Sequence, residues 1–409
     1  MSTTRARPAP RKSQAPLAID GGAPLRSQSL PYARQHIDEA DILAVDAALR
    51  SDWLTTGPRV EEFERDFAAY VGCDHAVAVS SGTAALHVML AALGVGAGDE
   101  VLVPAMTFAA SANAVLYCGA KPVFVDVEAD TLLVDTRDAA RKISARTRAV
   151  LAVDYAGQPC DYDSLSALCQ TSGLELVADA CHSLGARWKG RPSGSLAHAS
   201  SFSLHPVKHL TCGEGGVVAT NDASLAARAR RLRSHGIDSD HRQRERTGTW
   251  RYAMEELGFN YRLSDISCAL GSSQLKRATR RLQRRRDIAG FYTRRLAKLA
   301  AVRPLGLRRL AQHAWHLFVV EFELEALRVD RDQIFAALRA EGIGVQVHYL
   351  PVHRHPYYQR ELGFAHDLCP VAERAHERIL SLPLFPEMSD ADARDVVRAV
   401  EKVLRAYSL

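Results

Sequence analysis

The chain has 409 residues, of which 47% are hydrophobic and 24% are charged, and its formal net charge is +5. This length and balance predict a globular protein with room for one large and one smaller domain. No uninterrupted apolar run reaches the ~18 residues that a membrane-spanning helix needs, so this class is excluded. The modest positive charge does not by itself indicate nucleic-acid binding.

Eight cysteines occur without any Cys-x-x-Cys pair, and most of them interrupt apolar segments. This is the pattern of small buried hydrophobic residues rather than of a disulfide framework or a metal site. A reducing compartment is therefore predicted, and the chain is expected to be cytoplasmic.

The N-terminal residues 1–18 are predicted to form a disordered basic tail. Residues 1–16 contain four basic residues and three prolines, and they lack acidic and aromatic side chains. Such a segment buries too little apolar surface to fold by itself. A targeting or interaction role for the tail is an open alternative.

After the tail, apolar residues at helical spacing predict helices at 37–49 and 60–70. From Ser80 onward, helical segments alternate with short apolar runs that favour strands, at 100–103, 122–125, 149–153, 174–178, 199–203 and 216–220. This alternation predicts an α/β fold with a mainly parallel sheet and helices on both faces. We assign residues 19–263 to this large domain.

The C-terminal part is predicted to form a second, smaller α/β domain at 300–409. Ser264 is a candidate N-cap, and helical spacing continues from there to Leu299 with breaks allowed, which predicts a connecting helix at 264–299. Beyond it, the pattern predicts further elements at 315–323, 331–340, 345–349, 371–379 and 390–406.

Three separated motifs supply the parts of a pyridoxal 5'-phosphate (PLP) site. Lys208 lies in a polar loop and can hold an aldehyde cofactor as a Schiff base. Asp179 ends the apolar run 175–178, and a carboxylate there can keep a pyridine nitrogen protonated. Gly82 and Thr83 open a helix, and their amides can bind a phosphate. Each motif alone is weak, and their conjunction predicts the cofactor.

Longer motifs extend over residues 30–405. They are Pro31-Tyr-Ala-Arg-Gln35, Asp52-Trp-Leu-Thr-Thr-Gly-Pro58, Ser81-Gly-Thr-Ala-Ala-Leu86, Pro104-Ala-Met-Thr-Phe108, Gly157-Gln-Pro159, the lysine segment at 201–216, Gly258-Phe-Asn-Tyr-Arg-Leu263 and Val347-His-Tyr-Leu-Pro-Val-His353. Together they resemble the DegT/DnrJ/StrS family of sugar aminotransferases. The resemblance implies the architecture of a fold-type I PLP-dependent transferase, in which PLP alternates with pyridoxamine phosphate (PMP).

The resemblance also implies roles for individual residues. Lys208 carries the cofactor and moves a proton during transamination, and Asp179 pairs with the ring nitrogen. His182 contacts the ring or its 3' oxygen, and Phe108 stacks on the ring face, with ordinary core roles as the open alternative. The phosphate contacts are Gly82, Thr83, Ser203 and Asn260. In this family the asparagine comes from the neighbouring subunit, so a homodimer with shared active sites is implied.

The same resemblance implies a nucleotide-linked 4-keto-6-deoxyhexose as the amino acceptor and L-glutamate as the donor. The candidate sugar and diphosphate contacts are Thr55, Thr56, Trp250, Tyr252, Arg262, His348 and Tyr349. A structural role for the histidines is an open alternative. His348 and His353 have no carboxylate or thiol at ligand spacing, so no metal site is predicted.

Variants of the cofactor motifs narrow the expected substrate. They are Asp179-Ala-Cys-His-Ser-Leu-Gly185, His205-Pro-Val-Lys208, Glu256-Leu-Gly-Phe-Asn-Tyr-Arg262 and Ser381-Leu-Pro-Leu-Phe385. These variants most resemble the UDP-4-amino-4,6-dideoxy-N-acetyl-β-L-altrosamine transaminases of pseudaminic acid biosynthesis. GDP-perosamine synthases and dTDP-sugar aminotransferases of the same family are the alternatives.

Two other functions compete with transamination. Sugar dehydratases of the same fold have histidine at the lysine position, whereas this chain has Lys208 between His205 and His209. A regulatory or nucleic-acid-binding protein would have no need for Lys208 together with Asp179, and no helix-turn-helix or RNA-binding signature occurs. Transamination is therefore favoured, and no nucleic-acid or membrane partner is predicted.

Overall fold

A central sheet of seven strands organises the chain in a computed structural model that describes residues 16–409. The strands of the described chain are β1 (His75–Val79), β2 (Glu100–Pro104), β3 (Lys121–Val125), β4 (Thr147–Val153), β5 (Glu175–Asp179), β6 (Arg187–Trp188), β7 (Arg191–Pro192), β8 (Ala199–Ser203), β9 (Gly216–Thr220), β10 (Val302–Pro304), β11 (Ala311–Gln312), β12 (Phe318–Phe322) and β13 (Ile379–Leu382). The helices are α1 (Glu39–Leu49), α2 (Pro58–Val71), α3 (Gly82–Ala92), α4 (Ala109–Tyr117), α5 (Thr136–Lys142), α6 (Tyr162–Ser172), α7 (Ala223–Leu232), α8 (His241–Thr247), α9 (Asp265–Leu275), α10 (Ala278–Leu296), α11 (Arg331–Ala340), α12 (Pro356–Leu362), α13 (Pro370–His376) and α14 (Asp390–Tyr407).

The strands of the central sheet lie in the order β1-β9-β8-β5-β4-β2-β3. All of them run in the same direction except β9, which is antiparallel to both β1 and β8. Parallel strands covered on both faces bury successive side chains, and Val150, Leu151 and Ala152 of β4 are inaccessible to solvent. Burying one valine or leucine side chain contributes about 1.5–3 kcal/mol. The predicted α/β fold is confirmed.

The carboxyl ends of the parallel strands meet at one edge of the sheet. β5 ends there with Asp179 and β8 with Ser203, while α3 and α4 begin at the same edge after β1 and β2. The loop at 204–215 that contains Lys208 joins β8 to β9 and returns to this edge. The topology therefore collects the three predicted cofactor motifs in one place.

A second apolar core lies between α10, α14 and a three-stranded sheet of β10, β12 and β13. Phe318, Phe322 and Val396 are fully buried in it. At the start of α14, the Ser389 side chain accepts a hydrogen bond from the Asp392 amide, and the Asp392 side chain accepts one from the Ser389 amide. This reciprocal cap satisfies two backbone donors and fixes where the helix begins.

The N-terminal segment packs on this second core. Leu17 is buried within it, and the Glu341 carboxylate accepts hydrogen bonds from the amides of Ala18 at 2.8 Å and Leu25 at 2.9 Å. Most of the predicted disordered tail, residues 1–15, lies outside the described residues. Leu17 and Ala18 belonged to that prediction, and because both are held by these contacts, the predicted disorder does not extend to them.

Several elements differ from the sequence-based predictions. Strand β1 was not predicted. The connecting segment forms two helices, α9 and α10, because Arg277 between them leaves helical geometry with φ −110° and ψ 0°. Residues 345–349 form no strand and touch the outer edge of β13 through a single bridge between Gln346 and Ser381. Helix α13 ends before the predicted 379 because Ile379 begins β13, which pairs with β12. The boundaries 19–263, 264–299 and 300–409 stay a prediction.

Among residues 16–409, no helix combines the length and the apolar character that crossing a bilayer requires. In the same part of the chain, histidine, cysteine, aspartate and glutamate side chains nowhere form a group of three or more that could hold a metal ion.

Candidate active site

A cavity of about 480 Å³ opens at the edge of the sheet where β5 and β8 end. Its walls come from both ends of the chain, since Tyr32 and Tyr349 contribute as well as the central sheet. The sequence-predicted residues that line it are Gly82, Thr83, Phe108, Asp179, His182, Ser203, Lys208, His348 and Tyr349. The fold thus brings together nine residues that were predicted from separate motifs.

Lys208 lies in a loop whose two ends are tied together. The Leu204 amide donates to the Gly215 carbonyl at 2.8 Å, and the Cys212 amide donates to the Leu204 carbonyl at 3.0 Å. Within the loop, the Lys208 amide donates to the His205 carbonyl at 2.9 Å. Burial lowers the pKa of Lys208, although Cys181 and Asp179 act in the opposite direction. The loop therefore presents an amine that loses its proton more readily than a surface lysine.

Asp179 is held at both carboxylate oxygens. The Ser111 hydroxyl donates to Oδ2 at 2.7 Å, and the Cys181 amide donates to Oδ1 at 3.2 Å. The Thr107 hydroxyl lies 2.7 Å from the Ser111 hydroxyl, at the entrance of α4. An ionised carboxylate has about four acceptor positions, so these two donors leave capacity for a further donor from the cavity.

His182 follows Asp179 on the turn after β5 and is 6% exposed. Its Nε2 lies 3.1 Å from the Tyr349 hydroxyl, and its ring centroid lies 4.3 Å from that of His316. Burial, and then the positive charge of Lys208, hold the pKa of His182 well below its usual range. The side chain is therefore a neutral imidazole that can donate or accept one hydrogen bond.

The start of α3 forms an anion cradle. The Ser81 hydroxyl accepts from the Ala84 amide at 3.0 Å, which caps the helix, and first-turn amides such as those of Gly82 and Thr83 have no partner within a helix. Two glycines make room for this approach. A Cβ on Gly82 would lie 2.7 Å from the Ser203 Cβ, and a Cβ on Gly216 would lie 2.2 Å from the Ser81 carbonyl oxygen. Phosphate groups bind at such helix starts.

The opposite wall carries aromatic and imidazole groups. Phe108 is 59% exposed, and its ring centroid lies 5.9 Å from that of Tyr349. His348 Nδ1 lies 2.8 Å from the Ser381 hydroxyl, and burial, followed by the charge of Lys208, lowers the pKa of His348 to about 4. The carbonyl of His348 also accepts a hydrogen bond from the Tyr155 hydroxyl. Phe108 is free to pack against a planar ring in the cavity.

These groups fit PLP. The cavity offers a helix start for the phosphate, an amine of lowered pKa, and a carboxylate with unused acceptor positions. An exposed aromatic ring stands beside them. The fit rests on the donor set and on the close glycine packing, since a Cβ at residue 82 would collide with Ser203 and a Cβ at residue 216 would collide with the Ser81 backbone.

The remaining predicted residues lie elsewhere in the chain. Thr55, Thr56 and Arg262 line a second cavity, which also contains Arg230, Arg231, Arg233 and Arg244. Trp250 is 81% exposed and Tyr252 is 59% exposed, with the Arg244 guanidinium 5.0 Å from the Tyr252 ring centroid. Asn260 is exposed and forms a bridge with Ser234. The chain's own cavity therefore does not include the predicted sugar contacts of this region, nor Asn260.

Among the cavity residues and supports that the sequence analysis did not assign are Tyr32, Thr107, Ser111, Glu214 and His316. Tyr32 and Thr107 lie inside motifs that carried the family resemblance, so their position near the site could have been predicted. Ser111 looks like a small buried residue in an alanine-rich helix, and no spacing rule connects it to Asp179. His316 and Glu214 are adjacent to the cavity only after distant segments pack together.

Comparison with known proteins gives consistent matches over nearly the whole chain. The sequence model of the DegT/DnrJ/EryC1/StrS aminotransferase family matches residues 35–401. The spore coat polysaccharide biosynthesis protein SpsC of Bacillus subtilis (strain 168) is 40% identical over 382 residues, which cover 93% of this chain and 98% of SpsC.

Two solved structures show the same architecture. The putative sugar aminotransferase Spr1654 from Streptococcus pneumoniae, in its PMP form, has a TM-score of 0.87 and 33% identity, with 92% of this chain and 99% of that chain covered. Helicobacter pylori PseC, an aminotransferase involved in the biosynthesis of pseudoaminic acid, has a TM-score of 0.86 and 30% identity, with coverages of 92% and 100%. Spr1654 has also been solved in a PLP form.

Proposed function

Because the chain belongs to the DegT/DnrJ/EryC1/StrS family of PLP-dependent aminotransferases, we propose that it transfers the amino group of L-glutamate to C4 of a UDP-linked 4-keto-6-deoxyhexose. The product would be UDP-4-amino-4,6-dideoxy-N-acetyl-β-L-altrosamine, as in pseudaminic acid biosynthesis. The observation that carries the proposal is the meeting of Lys208, Asp179 and the α3 cradle in one cavity. A sugar dehydratase of this fold would lack the lysine.

The residues of the cavity divide into holding and proton-moving groups. PLP, when bound, supplies an electron sink for charge that develops on the carbon next to the transferred nitrogen. The amides of Gly82 and Thr83 and the hydroxyl of Ser203 would hold the phosphate, and Asp179 would accept a hydrogen bond from the ring nitrogen. Lys208 would attach the cofactor through Nζ.

Lys208 would also move the proton. Once the amino donor has displaced it, the neutral Nζ would accept the proton from the α-carbon of glutamate and give it back as the nitrogen is transferred. In the second half of the reaction, the same Nζ would move a proton in the opposite direction, to the sugar carbon C4. The lowered pKa of Lys208 supports this role, because a base must be deprotonated before it accepts.

His182 and Tyr349 would orient the ring. Their mutual contact at 3.1 Å fixes both side chains, and Tyr349 belongs to a segment outside the central sheet. The burial of His182 keeps it neutral, so it adds no second positive charge beside Lys208. Phe108 would exclude water from one face of the ring.

We propose a homodimer in which each active site uses both chains. The support is that Asn260 and the predicted sugar contacts near residues 55, 250 and 262 do not line the cavity of their own chain. The large apolar side chains of Trp250 and Leu257 are each 81% exposed, which is unusual for a surface that stays in water. The arginine-rich second cavity would meet the nucleotide diphosphate of the partner's substrate, and Arg262 is a candidate for the donor carboxylate.

Mixing two inactive variants tests the shared site. Lys208→Ala and Asn260→Ala proteins, combined under subunit exchange, are expected to recover part of the wild-type activity. A hybrid dimer then has one site with both lesions and one site with neither. Activity is measured after exchange has been verified by mass, and Asn260→Ala must first be severely impaired alone.

The matched control mixes Lys208→Ala with Asp179→Asn. Both of these residues line the cavity of their own chain, so each hybrid site keeps one lesion and no recovery is expected. With exchange verified, no recovery in the Asn260 mixture would place Asn260 in the site of its own chain or show that the two sites cannot work independently.

The substrate is tested with a panel of nucleotide-linked 4-ketosugars. We expect the purified protein with L-glutamate to convert a UDP-linked 2-acetamido-2,6-dideoxyhexos-4-ulose to the 4-amino sugar, with release of 2-oxoglutarate. Mass spectrometry of the products gives kcat/KM for each sugar. A clearly higher kcat/KM for GDP-4-keto-6-deoxymannose would replace this substrate with that of a perosamine synthase, and a dTDP sugar in first place would do likewise for a dTDP-sugar aminotransferase.

The support for the UDP sugar is kinship. The match to PseC covers all of that chain, and the Cys181-His182 and His205-Pro206 variants resemble its subgroup. The match to SpsC has a higher identity, and its name specifies a polysaccharide rather than a sugar. For this reason the panel includes all three nucleotides.

We further propose that the enzyme works in the cytoplasm. All eight cysteines are unpaired in the structure, and five of them are buried. Burial raises the pKa of Cys160 and Cys181 well above the usual thiol range, which keeps them protonated and unreactive. Unpaired thiols are the expected state in a reducing compartment.

A further inference from the structure

A buried chain of hydroxyl groups leads from the start of α4 to Asp179. We propose that Thr107 and Ser111 are positioning residues, which fix the Asp179 carboxylate in the orientation that the cofactor ring requires. The inference rests on the proposed function, because it assigns a purpose to Asp179 through its partners. It assigns two side chains a role that acts through Asp179.

The direction of the hydrogen bonds follows from proton counting. An ionised carboxylate can accept hydrogen bonds but cannot donate them. The Ser111 hydroxyl therefore donates its single proton to Asp179 Oδ2, at 2.7 Å. Ser111 can then only accept from Thr107, whose hydroxyl lies 2.7 Å away. All hydrogen bonds in this series therefore point the same way, with Thr107 donating to Ser111 and Ser111 donating to Asp179. Each hydroxyl group has one possible orientation for its proton.

Water cannot replace these donors. Ser111 is inaccessible to solvent, Thr107 is 2% exposed and Asp179 is 7% exposed. Hydrogen bonds to a charged group in such surroundings are stronger than neutral ones, and an unmade one is correspondingly costly. The Cys181 amide holds the other oxygen at 3.2 Å, so donors from two different segments define the plane of the carboxylate.

The same turn also carries Phe108. This residue is the N-cap of α4, and its carbonyl accepts from the Ser111 amide at 3.1 Å. The hydroxyl chain thus ties the turn that presents the aromatic ring to the carboxylate at the end of β5. The start of α4 also directs its positive end toward this carboxylate region. The residue proposed to stack on the cofactor ring, Phe108, and the residue proposed to bind its nitrogen, Asp179, are therefore connected by hydrogen bonds through Ser111.

Four variants of the PLP-loaded protein test the proposal. Ser111→Ala is expected to lower kcat by about tenfold, since it removes a hydrogen bond to a charged group. It should also shift the pH at which the absorbance of the bound cofactor changes, in the same direction as Asp179→Asn but by less. Ser111→Thr, which keeps the hydroxyl, should restore the wild-type spectrum. Thr107→Val should produce a smaller shift of the same sign.

Ser200→Ala is the matched control. Ser200 is equally buried and lies on the neighbouring β8, but its hydroxyl donates only to the carbonyl groups of Ser193 and Gly194. We expect its spectrum and pH profile to equal those of the wild type. Thermal unfolding of each protein without cofactor separates loss of stability from loss of positioning.

The spectra of these variants distinguish failure of the inference from failure of the role proposed for Asp179. If Ser111→Ala and Thr107→Val titrate like Ser200→Ala while Asp179→Asn is impaired, the inference is wrong and the proposed function stands. If Asp179→Asn itself behaves as the wild type, the role proposed for Asp179 is wrong, and the inference falls with it. Should Ser111→Ala not fold, the sign of the shift in Thr107→Val decides alone.

Discussion

Replacing Lys208 with alanine is expected to lower the turnover of the amino-transfer reaction by at least about a thousandfold. In our proposal the change removes both the covalent anchor of the cofactor and the base that moves the proton, and groups of this kind contribute several orders of magnitude to the rate. Lys208 is the lysine that lines the cavity, and burial lowers its pKa. Turnover is measured with L-glutamate and the ketosugar that proves best in the panel.

The variant should still bind PMP, because the α3 cradle and Asp179 are unchanged. Equilibrium binding of PMP to Lys208→Ala therefore reports whether the site has kept its shape. Lys189→Ala is a suitable control, since Lys189 pairs with Asp163 at the surface and does not line the cavity. Turnover of Lys208→Ala within tenfold of the wild type would exclude Lys208 as the catalytic lysine.

The second large effect is expected from Asp179→Asn. The substitution keeps the size of the side chain but removes the negative charge that would hold the proton of the ring nitrogen. Removing a preorganised electrostatic partner of the reacting group costs on the order of a hundredfold to a thousandfold in kcat. PLP affinity should fall much less, because the phosphate is held elsewhere, at Gly82 and Ser203.

Both quantities are measured on the same protein, kcat by product formation and affinity by titration with PLP. Asp163→Asn provides a control for the loss of one carboxylate, since Asp163 is exposed and forms an ion pair with Lys189 at the surface. Normal transamination by Asp179→Asn would mean that another group manages the ring nitrogen.

The sequence predicted the parallel core of the fold because short apolar runs such as 149–153 alternate with helical segments. It missed β1, His75–Val79, which comes only three residues after a helix and before the alternation begins. It allowed breaks in the connecting segment 264–299 without placing one, because the apolar spacing continues through Arg277. In the structure, Arg277 pairs with Asp38 and Asp41, which lie far away in the chain.

The parts of the site that could be predicted are those whose chemistry requires one particular type of residue. Lys208, Asp179 and the glycine at 82 are recognisable from their type and neighbours, and the structure brings them together. Ser111 was not predictable, because a serine in a helix signals nothing until its partner is known. The placement of Trp250 and Asn260 could not follow from spacing either, since it depends on how separate segments, and in our proposal separate chains, pack together.

The pairing of β8 with its neighbours restricts how this protein can vary in length. In the sheet, Ser201 of β8 lies opposite Asp179 of β5, and Ser203 lies opposite Gly216 of β9. Ser203, whose hydroxyl faces the cavity, is therefore two residues beyond Ser201, the residue that is aligned with Asp179. Side chains alternate between faces along a strand, and a slip by one position would put Phe202 where Ser203 stands. Phe202 would then leave Phe67, whose ring centroid is 5.3 Å away in the core. An insertion or deletion inside β8 would therefore damage the cradle and the core together.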